Sequence, residues 1–227
     1  MQKIINKNNG VDILNNIVYI PNNDNVDISN LPLLVYLHGA GERGENLEHL
    51  SRHAIPRLIE NGMEYSAVVL CPQCPANVVW DNIVDKIKNT IDTTVKGYNI
   101  KSDRIVLTGS SMGGYGAVMM GMTYRNFFAG IAPVAGAGML WRSSNLSTTP
   151  MLFYHGDMDE AVPIEYTTML YKKLADSGFD VEMKILKGLN HNDGIEEAYK
   201  DTYLIDWLIS RRRTNFKYVP EYLEEMF

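Results

Sequence analysis

Long apolar runs are missing from this chain: no stretch approaches the roughly 20 residues that a membrane-spanning helix requires, so no membrane partner is expected. The start, Met1-Gln2-Lys3-Ile4-Ile5-Asn6, lacks the apolar core and cleavage site of a secretory leader, so a cytoplasmic location is expected. Basic charge is also in short supply, with Lys+Arg 21 against Asp+Glu 27 and a net charge of −6. That balance excludes an electrostatic footprint for nucleic acid. The one basic run, Arg211-Arg212-Arg213, reads as the end of a helix, where cations suit the dipole. Cysteine is nearly absent: Cys71 and Cys74 stand alone in Cys71-Pro72-Gln73-Cys74-Pro75. The spacing invites a redox reading, but the two prolines make an extended loop after a strand, not the start of a helix. Two thiols do not complete a zinc site. Both cysteines are therefore expected to be structural, and neither a metal nor a cofactor is implied. Repeats, low-complexity tracts and long linkers are missing too, so residues 1–227 are expected to form a single domain.

What remains is an ordinary composition, 45% hydrophobic and 21% charged, able to bury a sizeable core. Short apolar strands are expected at Asp12–Tyr19, Leu33–Leu37, Ala67–Leu70, Arg104–Thr108, Ala129–Val134, Met151–Tyr154 and Val181–Leu186. Helices are expected between them. One covers Leu47–Glu60, interrupted near Pro56. A second carries Ile83, Ile87, Ile91 and Val95 on one face, with Asp81-Asn82 as caps. Another presents Ile164, Thr167, Tyr171 and Leu174 on one side, and a long final helix spans about Ile195 to Ser210. Gly136–Thr149 reads as a loop. Strands alternating with helices imply a mostly parallel sheet covered on both faces. Ligands of such sheets bind at the carboxyl ends of the strands.

The chain is organised around Gly109-Ser110-Ser111-Met112-Gly113-Gly114-Tyr115-Gly116. It contains G-x-S-x-G between a buried strand and an apolar helix. A serine on such a sharp strand-to-helix turn is pushed out of the sheet, and small residues two positions either side relieve the crowding. The motif alone arises by chance in roughly one chain in ten of this length, so its context and partners carry the weight. A phosphate-loop reading fails because no Gly-Lys-Ser/Thr follows.

A serine hydroxyl needs a base, and the base needs an orienting group. Of five histidines, His38 and His155 end strands beside glycines and read as structural, and His49 and His53 read as solvated on a helix. His191, in the loop between the last strand and the last helix, is the best-placed base. In the order Ser, acid, His, the acid falls among Asp157, Asp159 and Glu160, and position alone does not choose between them. The developing oxyanion needs two amides. One is the N–H of Met112, and the other is expected from the loop His38-Gly39-Ala40-Gly41, at Ala40.

Taken together, Leu37-His38-Gly39-Ala40-Gly41-Glu42-Arg43-Gly44, Gly109-Ser110-Ser111-Met112-Gly113-Gly114, His155-Gly156-Asp157-Met158-Asp159-Glu160-Ala161-Val162-Pro163 and His191 resemble the α/β-hydrolase superfamily. More narrowly, they are similar to its small phospholipase/carboxylesterase group, which includes feruloyl-esterase-like and polyhydroxybutyrate-depolymerase-like members. The resemblance spans about Leu33 to Ile209. That group writes its acid loop H-G-x-x-D-x-x-V-P, which selects Asp159, and it implies Ala40 and Met112 as oxyanion amides. It also implies that Pro72-Gln73-Cys74-Pro75, with Trp80 downstream, borders the substrate. Only Gly136–Thr149 is available as a lid, so an open, shallow pocket is implied, with Trp80, Tyr115 and Trp141 as candidate walls. The expected activity is that of a cofactor-free serine esterase on small-molecule short-chain or aromatic esters. Thioester or peptide hydrolysis on the same three residues is the alternative, and a non-catalytic binding protein a more distant one. The aromatics of the tail, Phe216, Tyr218, Tyr222 and Phe227, are candidates for packing back or meeting a partner.

Overall fold

A computed structural model of the chain describes residues 1–8, 12–23 and 25–213. The tail aromatics Phe216, Tyr218, Tyr222 and Phe227 lie outside the described residues. Eight strands form one sheet in the order β1-β2-β4-β3-β5-β6-β7-β8. The strands are β1 (Gln2–Asn6), β2 (Asn16–Ile20), β3 (Leu33–Leu37), β4 (Val68–Pro72), β5 (Ile105–Ser110), β6 (Gly130–Val134), β7 (Met151–Gly156) and β8 (Val181–Leu186). The first two pairings are antiparallel and the remainder parallel. This is the expected α/β-hydrolase arrangement, with helices on both faces.

Side chains alternate along a strand, and here the alternation divides the core in two. Leu33, Val35, Leu37, Ile105, Leu107 and Phe153 face one layer, packed with α2 (Val84–Tyr98), α3 (Met112–Thr123) and α4 (Ile164–Asp176). Leu34, Tyr36, Val106, Leu152 and Tyr154 face the other, packed with α1 (Ala54–Glu60), α5 (His191–Lys200) and α6 (Thr202–Ser210). The central strands are apolar throughout because both of their faces are covered. Among the described residues, no helix is long and apolar enough to cross a membrane.

Several boundaries differ from expectation. The polar, edge-lying β1 carries no apolar alternation and is not evident in the sequence, and β2 begins only at Asn16. The Leu47–Glu60 segment is a 3-10 stretch, Leu47–Arg52, followed by α1. The break falls at Ala54, whose φ is +50°. Pro56 itself sits in the first turn of α1, where a missing N–H costs nothing. Asp81 and Asn82 lie within a 3-10 turn, Trp80–Ile83, and α2 starts at Val84 without a side-chain cap. Gly136–Thr149 holds a 3-10 stretch, Leu140–Leu146. The final helix is two: Asp201 is extended, and its carboxylate caps α6 by accepting from Tyr203 N–H at 3.0 Å.

Candidate active site

The segments that follow β3, β5, β7 and β8 start from the carboxyl edge of the parallel sheet and carry Ala40, Ser111, Asp159 and His191. Ser111 lies between β5 and α3 at φ +54° and ψ −119°, a conformation few non-glycine residues adopt. Its neighbours explain how the strain is tolerated. A Cβ on Gly113 would lie 1.9 Å from Leu37 O, and one on Gly109 2.3 Å from Gly113 O. Only glycine at both positions lets α3 start this close to β3 and β5. The turn projects Ser111 Oγ away from the sheet and leaves Met112 as the first residue of α3, so its N–H has no acceptor within the helix.

His191 is not in a free loop but is the first residue of α5, whose cap, Asn190, accepts from Asp193 N–H at 3.0 Å. Its Nε2 lies 3.0 Å from Ser111 Oγ and its Nδ1 2.6 Å from Asp159 Oδ2. Asp159 is buried, and its Oδ1 accepts from Ala161 N–H at 3.0 Å and Val162 N–H at 2.8 Å. The other two carboxylates of the loop point elsewhere. Asp157 accepts from Gly188 N–H at 2.6 Å and pairs with Lys187, contacts that hold its carboxyl below the usual range. Glu160 is exposed. Protonated at Nδ1, His191 can donate to Asp159 while Nε2 accepts from the serine hydroxyl.

Residues 54–200, a span that includes Ser111, Asp159 and His191, match the phospholipase/carboxylesterase family. The chain belongs to that family. Acyl-protein thioesterase 1 of Neurospora crassa is 29% identical over 121 residues, covering 50% of this chain and 47% of its own length. The chain thus spans about half the length of the thioesterases it matches. A thermostable esterase of known structure is 25% identical with a TM-score of 0.79, over 93% of this chain and 63% of that one. The feruloyl esterase module of Clostridium thermocellum, solved with sinapinate, superposes with a TM-score of 0.71 at 14% identity, over 96% and 91% of the two chains. At that identity it shows a shared fold alone.

In this family member the loop after β3 is braced from behind. His38 is fully buried, and burial lowers its pKa to about 4, which keeps it neutral. Its Nδ1–H donates to Gly39 O at 2.5 Å, its Nε2 accepts from Cys74 N–H at 3.0 Å, and its carbonyl accepts from Trp80 Nε1–H at 2.9 Å. Gln73 adds donors to Glu42 O and Asn46 O at 2.9 and 2.8 Å. The Pro72–Pro75 loop and Trp80 therefore buttress the Ala40 turn. Gly39-Ala40-Gly41-Glu42-Arg43-Gly44 has the G-x-G-x-x-G spacing of a dinucleotide fingerprint. It opens only a three-residue 3-10 turn, Ala40–Glu42, not the helix such a site requires.

A cavity of about 250 Å³ adjoins Ser111 and His191. Its walls are Gly39–Glu42, His53 and the α5 residues Asn192, Ile195 and Glu196. None of the three expected aromatics lines it. Trp80 is completely buried, Tyr115 is half-buried on α3, and Trp141 is 73% exposed on the 3-10 stretch after β6. Glu42 and Glu196 were not singled out from the sequence, and His53, read as solvated, keeps a 55% exposed side chain at the cavity wall. Glu42 is buried with Oε2 unpartnered, and burial pushes its carboxyl upward. Glu196 is paired with Arg57 and lies 3.3 Å from His53 Nδ1. Cys71 and Cys74 are free thiols, both buried, which raises their pKa values and makes them inert. Among the described residues, no group of three or more His, Cys, Asp or Glu could hold a metal ion.

Proposed function

We propose that this chain is a serine esterase cleaving short-chain carboxylic esters through an acyl-enzyme. The observation that carries the proposal is the continuous hydrogen-bonded line Ser111 Oγ–His191 Nε2, His191 Nδ1–Asp159 Oδ2, built on a strained turn at the carboxyl edge of the sheet. His191 takes the proton of Ser111 as Oγ attacks the ester carbonyl. Asp159 holds the tautomer and steadies the imidazolium. The tetrahedral oxyanion is met by the N–H groups of Ala40 and Met112, both first residues of helical turns with amides free to donate. The proton then passes from His191 to the leaving oxygen, and water repeats the sequence on the acyl-enzyme.

A cavity of about 250 Å³ suits a small acyl or alcohol group. It offers no aromatic wall for stacking, which places hydroxycinnamoyl esters behind short aliphatic ones. Thioester hydrolysis is the second reading, favoured by the acyl-protein thioesterases among the relatives. The one sheet running from β1 to β8 supports treating the described residues as one domain. The two unpaired thiols support residence in a reducing compartment such as the cytoplasm. The test is a panel of acetyl to octanoyl esters, a feruloyl ester and an acyl thioester, with wild type and Ser111→Ala. Highest kcat/KM on acetyl or butyryl esters, lost in Ser111→Ala, is expected. Turnover of the thioester alone would select the second reading, and turnover that survives in Ser111→Ala would reject both.

A further inference from the structure

One buried ionisable side chain touches this constellation without a part in the chemistry above. His155, near the end of β7, is 1% exposed. Its Nε2 lies 2.8 Å from Val162 O and 3.2 Å from Asp159 Oδ2, the same oxygen that receives His191 Nδ1–H at 2.6 Å. On the far side of the ring, Nδ1 lies 2.7 Å from Thr167 Oγ, which is itself 2.8 Å from Gly136 O.

The proton on His155 can be placed by elimination. Both atoms facing Nε2 are acceptors only: a carbonyl and a carboxylate oxygen. A bare Nε2 there would set three lone-pair centres against one another in a buried site, so Nε2 carries the proton. On the Nδ1 side Thr167 has one hydroxyl hydrogen for two possible acceptors, Nδ1 and Gly136 O. Protonated or neutral, His155 therefore turns an N–H edge toward Asp159. Burial lowers its pKa, which favours the neutral ring with Nε2–H. The surrounding backbone ties the pair together: Val162 gives its N–H to Asp159 Oδ1 and takes the His155 N–H on its carbonyl. Pro163 then caps α4, the helix that brings Thr167 to His155.

We propose that His155 is a positioning residue that shares Asp159 Oδ2 with His191 and so limits how strongly the carboxylate holds the protonated base. This rests on the serine-hydrolase reading above. An oxygen that already faces one N–H dipole offers less stabilisation to a second, positively charged donor. Without His155, Asp159 would hold the His191 imidazolium more tightly and release its proton to the leaving group less readily. The other titratable groups at this cluster are Tyr115 on α3, which feels the charge of Asp159, and Tyr166 on α4 beside it. Burial pushes the Tyr115 phenol upward, so it carries no charge while histidines titrate. Asp157 is committed to Gly188 and Lys187.

The experiment compares wild type, His155→Gln and His155→Leu by the pH dependence of kcat/KM on a short-chain ester, and by NMR titration of the His191 ring. His155→Leu removes the N–H and is expected to move the acidic limb and the ring titration upward together, by about half a pH unit or more. His155→Gln keeps an amide N–H within reach and is expected to stay near wild type. A merely structural histidine would lower stability or kcat without moving either midpoint, and unmoved midpoints in His155→Leu would overturn the proposal. Should that variant not fold, wild type decides. A protected His155 Nε2–H signal that shifts with the His191 midpoint supports the proposal, and a ring protonated only at Nδ1 overturns it. The ring titrations need no turnover, so absence of esterase activity would reject the function while leaving this inference separately readable.

Discussion

Replacing Asp159 by asparagine discriminates sharply between the candidate acids, and the structure dictates the outcome. Oδ1 of Asp159 accepts two backbone N–H groups, from Ala161 and Val162, so the asparagine carbonyl oxygen must take that place. The amide NH2 then replaces Oδ2 and faces His191 Nδ1 and His155 Nε2, two nitrogens that both donate in the native protein. Donor cannot meet donor, so the His191 ring changes tautomer and puts its hydrogen on Nε2, 3.0 Å from Ser111 Oγ. A protonated Nε2 cannot accept the serine proton. Losing the correct tautomer costs about 10⁴ in kcat in serine hydrolases, which corresponds to about 5.5 kcal/mol in the barrier. The two backbone bonds survive, so the fold should survive with them. Asp157→Asn keeps an oxygen for Gly188 N–H and loses only a pair with the exposed Lys187, so kcat/KM should change by less than about twofold. Both variants would be assayed on a short-chain ester, with urea melts to verify folding. Loss of activity in Asp157→Asn, or a folded Asp159→Asn within tenfold of wild type, would refute the assignment.

Gly113→Ala puts a Cβ 1.9 Å from Leu37 O and 2.7 Å from His38 O, both backbone atoms, and should cost more than about 4 kcal/mol. Gly41→Ala, with nothing within 4 Å, should melt like wild type, and equal thermal midpoints for both variants would contradict the elbow packing. His38 is held neutral with a pKa of about 4, whereas an unfolded histidine titrates near 6.5. The unfolded chain therefore binds the extra proton between those values, and stability should fall by about 3 kcal/mol as pH drops from 6.5 to 4. Urea midpoints of wild type and His38→Asn across that range measure the difference. Glu42 shows the opposite sense: its carboxyl is raised by burial, so ionisation penalises the folded state above its titration and not below the ordinary carboxylate range. Glu42→Gln should then raise the thermal midpoint at pH 8 more than at pH 4, and an equal change at both would show that the carboxyl is not the source.

The parts of the fold that were legible in the sequence are those with a clear apolar pattern, continuous in the doubly covered β3, alternating in the edge strand β8 and one-sided in α2. β3 and β8 have the bounds their residue patterns suggest, and Ile87 and Ile91 face the core from α2 as their spacing demands. Segments whose structure depends on neighbours were not legible. β1 is an edge strand of mostly polar residues held by pairing with β2, and no local pattern announces it. The division between α5 and α6 depends on Asp201 choosing to cap rather than continue a helix. At the site, Ser111 and His191 were singled out by motif and position, but all three carboxylates after β7 stayed open until the family pattern was applied. The structure separates them by local hydrogen bonding, with Asp159 folded back onto Ala161 and Val162 and Asp157 drawn to Gly188. Trp80 shows the limit of reading an aromatic near a site as a wall. A Cβ on Gly116 would lie 2.6 Å from Trp80 Cβ, so the ring is packed against α3 with its N–H spent on His38.

The nucleophile can be tested without knowing the natural ester. Wild type, His191→Ala and Ser111→Ala would be treated with a fluorophosphonate, which phosphonylates an activated serine, and the adduct located by peptide mass spectrometry. One adduct on Ser111 is expected in wild type, formed far more slowly in His191→Ala and absent from Ser111→Ala. An adduct on any other serine, or labelling of wild type no faster than of His191→Ala, would contradict the assignment of Ser111 as a nucleophile activated by His191.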